Sequence, residues 1–248
     1  MSETIELRIK RQDSPATESY WETFRLPYQK NMNVISCLME IRMNPVTAEG
    51  KKSTGVCYDA GCLEEVCGSC SMLINGRPRQ ACSALVDELD GPIILEPFKK
   101  FPVVRDLMVD RSRMFEALKR VRAWVPIDGT HDLGSGPKMS AETQQDLYKF
   151  SECMTCGCCL EACPQVNDNS SFMGASAIGQ AYRFDEHPGT NSLKDERMSA
   201  LMGPGGVGDC GNAQNCVRVC PKEIPLTDAI SEMARRLTVH SVKSFFSR

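Results

Sequence analysis

The apolar positions of the first hundred residues mostly alternate. "MSETIELRIK" sets Ile5, Leu7 and Ile9 between polar neighbours, the period-two pattern of a half-buried strand, and "YWETFRLPY" and "PIILEP" read as further strands. Between them "NVISCLMEIRM" switches to helical spacing, with Val34, Ile35, Leu38, Met39 and Arg42 in register and Pro45 as the stop. "SMLINGRPRQAC" carries Asn75-Gly76 between two short runs, the strongest short-range hairpin signal because both turn residues take positive φ. From about Val103 the pattern turns helical: "VVRDLMVDRSRMFEALKRVRAWV" predicts a helix, "PIDGTHDLGSGPK" a loop, and Ser140 caps "AETQQDLYKF". "FMGASAIGQAYRF", "SLKDERMSALM" and "PLTDAISEMARRLTVHSVKSFF" predict more helices, the last with Pro225 near its start and Ile230, Met233, Ala234 and Leu237 on one face. The expected fold is α+β, with an α+β first domain over residues 1–105 and an all-helical second over 106–248.

Composition narrows the chemistry. The chain has 248 residues, 42% of them apolar, a net charge of -3 and scattered Lys and Arg, so it can bury a core but offers no basic footprint for nucleic acid. No apolar run approaches the roughly 18 residues of a bilayer crossing, and the start has no signal-peptide apolar core, which points to a protein made and kept in a bacterial cytoplasm, or already trimmed. Fourteen cysteines are the anomaly. Without an oxidising compartment, metal or cluster ligation explains them better than disulfides do.

In "DAGCLEEVCGSCSMLINGRPRQAC" the spacing Cys62-x4-Cys67-x2-Cys70-x11-Cys82 reproduces the plant-type [2Fe-2S] pattern, and the hairpin returns Cys82 beside Cys70. Gly68 is expected to let a backbone N–H reach the sulfurs with no Cβ in the way. A four-cysteine zinc site is the plainer alternative, although such sites usually pair two short C-x2-C knuckles. Cys57 and Cys37 fall outside the pattern and read as buried, inert thiols.

"CMTCGCCLEACP" is the bacterial ferredoxin run Cys153-x2-Cys156-x2-Cys159-x3-Cys163-Pro164, with Cys158 a spectator. Such a run calls for a crossed partner, which "CGNAQNCVRVCPK" supplies as Cys210-x5-Cys216-x3-Cys220-Pro221. The position three after Cys210 is Ala213, and a methyl group cannot bind iron. The ligands therefore divide into Cys153, Cys156, Cys159 and crossed Cys220 for a [4Fe-4S] cluster, and Cys210, Cys216 and crossed Cys163 for a [3Fe-4S] cluster. A [4Fe-4S] site completed by an exogenous ligand is the alternative. Three such centres suggest conduction rather than bond-breaking, and no catalytic residue is assigned.

Other features are weaker. "GPGGVG" formally matches G-x-G-x-x-G but follows a helical stretch and runs into Cys210, so a flexible approach to the cluster is expected there instead of nucleotide binding. His131, His187 and His240 have no Rieske spacing and read as surface or cap residues. Arg235, Arg236, Lys243 and Arg248 beside Phe245 and Phe246 form a basic tail suited either to anionic headgroups or to a solvated helix face.

Taken together, "CLEEVCGSC" with the returning Cys82, "PVVRDLMVD", "CMTCGCCLEACP" and "CGNAQNCVRVCPK" resemble the iron-sulfur subunit of succinate dehydrogenase and fumarate reductase, over nearly the whole chain and in its Gram-positive-type branch. The resemblance implies a β-grasp plant-type [2Fe-2S] ferredoxin domain followed by an all-α bacterial-ferredoxin-like domain. It implies a flavoprotein partner with FAD, a membrane anchor bearing haem b, and a quinone near the [3Fe-4S] end or in the anchor. It also implies a peripheral place on the cytoplasmic face of the bacterial plasma membrane, with succinate oxidation or, alternatively, fumarate reduction carried out in the flavoprotein. Ubiquinone-reducing members carry a Trp and a His where this chain has Asp168 and Gly211, so menaquinone and a dihaem anchor are the expectation. A glycolate-oxidase or heterodisulfide-reductase type subunit would not be expected to combine these two cysteine patterns.

Overall fold

The computed structural model describes residues 4–126 and 138–246. The expected 126–138 loop therefore lies almost wholly outside the described residues, as do His131 and Arg248. The chain divides into two compact units, one of residues 1–111 with 154–161, the other of 112–153 with 162–248.

The first unit is built on a mixed sheet. Strands β1 (Thr4–Arg11), β2 (Tyr20–Pro27), β3 (Ser71–Ile74), β4 (Arg77–Gln80) and β5 (Ile93–Glu96) lie in the order β2-β1-β5-β3-β4, with β1 and β5 parallel and the other pairs antiparallel. Ile5, Leu7 and Ile9 point into the core as their alternation requires. Helix α1 (Val34–Met43) closes that core with Val34, Ile35, Cys37, Leu38 and Ile41. Met39, expected on this face, is instead 48% exposed, because the apolar stripe runs through Cys37 and Ile41. Asn33 and Ser36 form a capping box at the start of α1. The Asn33 amide also donates to the Cys82 carbonyl at 2.9 Å, which ties the helix start to the return of the cysteine hairpin. The turn at Asn75 and Gly76 has φ of 49° and 75°, as that dipeptide predicts.

Residues 103–109 correct the helical expectation. They form a short hairpin, β6 (Val103–Arg105) and β7 (Met108–Val109), turned at Asp106 with φ 47°. The reason is a buried charge: alternation along β1 brings Arg11 to an interior position, and Asp106 at the hairpin turn supplies it with a fully buried counter-ion. Arg11 Nε and Nη2 donate to the Asp106 carboxylate at 2.9 and 3.2 Å, and the same carboxylate accepts the N–H groups of Gln12 and Cys57 at 3.1 and 2.8 Å. Glu22 pairs with Arg11 from β2.

Every element of the second unit, among the described residues, is helical. The α-helices are α2 (Ser112–Arg120), α3 (Ala141–Ser151), α5 (Ala175–Glu186), α6 (Lys194–Met202), α7 (Asn215–Arg218) and α8 (Leu226–Phe246), with 3-10 turns at Pro188–Leu193 and Val207–Asp209, while the intervening α4 (Cys158–Glu161) belongs to the first unit. Ser140 caps α3 through the Thr143 N–H. Gly179 of α5 lets α8 approach: a Cβ there would stand 2.9 Å from Leu226. Asp185 receives Arg236 of α8 at 2.8 Å, and Arg236 also pairs with Glu186 and Glu232. With Arg235 on Glu232 as well, two of the four expected basic-tail residues are consumed by ion pairs within the helices. No helix among the described residues is long and apolar enough to cross a membrane.

Replacing Asp106 by Ala leaves Arg11 buried without its main counter-ion and should lower stability by about 3–5 kcal/mol. Anaerobic denaturant unfolding of the cluster-loaded protein checks this, and a loss below about 1 kcal/mol would show that the pair does not anchor the hairpin.

Candidate metal centres

Cys62, Cys67, Cys70 and Cys82 fall in the first unit as two pairs. The Cys62 and Cys67 thiols are hydrogen-bonded to each other, and so are those of Cys70 and Cys82. A binuclear centre asks for such an arrangement, two thiolates to each of two irons. The loop between the first two is turned inward by left-handed residues, Leu63 at φ 63° and Glu65 at φ 55°. Cβ sterics make that conformation costly for a bulky Leu, so something must hold it. The return is a set of N–H donors: Glu64, Val66 and Cys67 aim theirs at Cys62 Sγ at 3.2–3.3 Å, and Cys62 and Ser69 aim theirs at Cys67 Sγ at 3.4–3.5 Å. Such concave groups of N–H donors favour negative charge. The Ser69 side chain, helped by backbone donors, lowers the Cys67 thiol to about 6, whereas burial pushes Cys70 up to about 12.

Gly68 has a further role at this loop. The N–H donors come from its neighbours, and Gly68 also makes room: at φ 71°, a Cβ would stand 2.7 Å from the Met154 carbonyl and 2.9 Å from the Cys156 Cβ. The loop of the first cysteine set thus touches the start of the second within one unit. Gln80, fully buried, sits at the same juncture: its Oε1 accepts from Cys70 Sγ at 3.5 Å, and its Nε2 donates to Ser71 Oγ at 2.8 Å and Cys158 Sγ at 3.7 Å. Segment 154–161 is fastened at its far end by Glu161, whose carboxylate accepts the Lys99 and Lys100 N–H groups at 3.0 and 3.1 Å. Cys156 is held down to about 7 by its hydrogen bond with Cys158, with Arg111 nearby favouring the thiolate. Cys158 itself is buried and pushed well up by that same bond, which suits a spectator.

Cys153 and Cys220 belong to the second unit, Cys153 just beyond α3 and Cys220 close enough to act on Lys149 in the last turn of α3. Cys163, Cys210 and Cys216 line one cavity of about 220 Å³ there, with Ala213 in its wall and Thr227, Ile230 and Ala234 of α8 across it. Burial, then the charges of Cys163 and Cys210, raise the Cys216 thiol. The 210–216 loop again uses left-handed residues, Asn212 at φ 53° and Gln214 at φ 58°. Gly211 packs against the Gln165 side chain on the cavity's rim, while Asp168 is exposed and outside the lining. Among the described residues no three His, Cys, Asp or Glu side chains converge on one point as ligands of a single ion would. A cluster needs no such convergence, since its thiolates meet different irons.

Two smaller expectations change. The glycine run 203–208 is a packed turn instead of a flexible approach: a Cβ on Gly205 or Gly206 would run into the carbonyls of Ser171 or Leu201, and Met173 N–H binds the Gly205 carbonyl at 2.9 Å. Cys57 is half-buried, while Cys37 is fully buried and raised to about 11 by that burial. His187 does cap, its Nδ1 accepting the Gly189 N–H. Ser69, Gln80, Arg111 and Gln165 went unnoticed in the sequence; only Gln80 had a signal, closing the returning strand two residues before Cys82.

Two thiol pairs on a sheet-based unit, followed by a helical unit with a further thiol cavity, define a multi-cluster iron-sulfur protein. Residues 6–116 match the family described as "2Fe-2S iron-sulfur cluster binding domain" and residues 149–224 the "4Fe-4S dicluster domain". The chain is 56% identical over 243 residues to the succinate dehydrogenase iron-sulfur subunit of Bacillus subtilis, covering 98% of this chain and 96% of that one. It is 31% identical to the fumarate reductase iron-sulfur subunit of Haemophilus influenzae, with 87% and 85% covered. In fold it is similar to a chain of the Mycobacterium smegmatis Sdh1 complex in the apo form, with TM-score 0.78, 24% identity and 97% and 98% coverage. The chain belongs to the family of succinate dehydrogenase and fumarate reductase iron-sulfur subunits.

Gly68→Ala puts a Cβ against backbone and adds about 1–2 kcal/mol of left-handed strain. The expected result is a lower iron content per chain and an altered binuclear electron paramagnetic resonance line shape; wild-type values of both would contradict the close approach described above.

Proposed function

We propose that this chain is the electron-conducting subunit of a succinate:quinone oxidoreductase, holding a [2Fe-2S] cluster on Cys62, Cys67, Cys70 and Cys82, a [4Fe-4S] cluster on Cys153, Cys156, Cys159 and Cys220, and a [3Fe-4S] cluster on Cys163, Cys210 and Cys216. The observation that carries the last assignment is the one cavity lined by Cys163, Cys210, Cys216 and Ala213. On this reading the first domain is a β-grasp ferredoxin and the second a bacterial-ferredoxin-like domain. Each cluster, when bound, takes up and releases one electron.

The chain's own residues do the rest. Thiolates hold the irons, the N–H groups of residues 62–69 offset negative charge at Cys62 and Cys67, and Gly68 and Gln80 keep the first and second cysteine segments in contact. Dicarboxylate chemistry belongs to a flavoprotein partner with FAD. The electrons leave toward a quinone, menaquinone on the strength of Gly211 and Asp168, at a haem-bearing membrane anchor on the cytoplasmic face of the bacterial plasma membrane. The exposed Leu63, Glu64 and Val66 of the first cysteine loop are the part of the chain offered to the flavoprotein, whereas Glu65 turns inward to Ser83 at 2.6 Å. The same residues serve a quinol:fumarate reductase equally well, since conduction has no preferred direction; the fumarate reductase relatives support that second reading.

Ala213→Cys tests the ligand sets. The trinuclear signal of the oxidised protein should disappear and iron should rise by about one per chain as the centre becomes [4Fe-4S]. An unchanged trinuclear signal would overturn the assignment of Cys163, Cys210 and Cys216.

A further inference from the structure

Arg111 closes the first unit, and its side chain turns back to the cysteine loops. Nη1 and Nη2 donate to the carbonyls of Gly68 and Ser69 at 2.8 and 2.6 Å, between ligands Cys67 and Cys70. The Gly68 backbone lies against Cys156, so the guanidinium stands beside both cysteine segments. Its remaining donor, Nε, is buried and has no hydrogen-bond partner. A buried donor left without a partner costs more on a charged group than on a neutral one. The other two nitrogens of this fork are well placed, so the orphan is not a sign of a loose side chain.

We propose that Arg111 Nε–H is the donor to a sulfur of the centre held by Cys156, and that Arg111 thereby raises that centre's reduction potential while its terminal nitrogens fix the binuclear loop against it. This rests on the ligand sets proposed above. Reduction adds one electron and one negative charge to the centre. Arg111 neither gives nor takes a proton in that step, because a guanidinium stays protonated in proteins, so its whole contribution is to favour the reduced state. Outer hydrogen bonds and nearby charge are known levers on cluster potential. Arg111 is a positioning residue in this role and binds no iron.

The test uses the cluster-loaded protein, titrated redox-wise under electron paramagnetic resonance, with iron and sulfide counted per chain. Arg111→Gln should leave the iron content unchanged and make reduction of the cubane centre about tenfold less favourable, a fall of about 59 mV for one electron. Arg111→Lys, which keeps the charge but loses the fork, should fall less. A cubane potential equal to wild type in Arg111→Gln with full iron would overturn the proposal. If that variant loses its clusters, wild-type protein grown on 15N-arginine decides: a nitrogen hyperfine coupling at the reduced cubane, absent in Arg111→Lys, supports the Nε contact, and no coupling overturns it. A wild-type protein with no cubane centre at all would instead sink the ligand sets, which the iron count and spectra reveal separately from any shift in potential.

Discussion

The first unit depends on one close approach, the backbone of Gly68 against Met154 and Cys156. No side chain fits between them, and the left-handed φ excludes most residues other than glycine. Because of that contact, a loop from the sheet and a segment some ninety residues later in the chain form one unit. The surrounding bonds all serve it: Glu161 receives two N–H groups at one end of the segment, Gln80 reaches Cys158 in its middle, and Arg111 grips the carbonyl of Gly68 itself. Electron passage weakens steeply with separation, so a chain that conducts must settle distances before anything else. Here the distance is set by backbone, the least adjustable part of the structure.

The thiols themselves sit on irregular backbone. Leu63, Glu65, Thr155, Asn212 and Gln214 all take left-handed conformations beside candidate ligands. In a strand or helix the N–H groups would be spent on the ladder, whereas in these turns they are free to face sulfur. Strain in the loops is thus linked to the charge they must support, and the regular elements supply the rigidity. Asn33 on the Cys82 carbonyl shows the connection, because the cap of α1 also fixes the cysteine hairpin.

Much of this was legible beforehand. Cysteine spacing put Cys62 near Cys67, the hairpin put Cys82 near Cys70, and the structure pairs them so, with Cys163, Cys210 and Cys216 lining one cavity. Asn75-Gly76 and Ser140 announced a turn and a cap, since both signals are local to the chain. What stayed hidden was decided by distant partners. The helical reading of 103–109 failed because Arg11, nearly a hundred residues earlier, demands Asp106 at a hairpin turn. Segment 154–161 gives no local sign of joining the sheet-based unit. The glycine run 203–208 looked flexible by composition, yet it is packed because neighbouring carbonyls leave no room for a Cβ. Leu63 and Glu65 carry no mark of left-handed backbone, and Arg111 fell inside the helix expected from about Val103, with nothing to set it apart from the other scattered bases.

On the proposed ligand sets the binuclear and cubane centres are neighbours, held so by the contact at Gly68. The most direct measurement is the spin relaxation of the binuclear signal, first with that centre alone reduced and then with both reduced. Neighbouring centres should give a marked broadening and faster relaxation of the binuclear signal when the cubane gains its electron, since magnetic coupling falls steeply with distance. A binuclear signal that relaxes identically in both states would mean that the two centres are far apart and would contradict the arrangement described here.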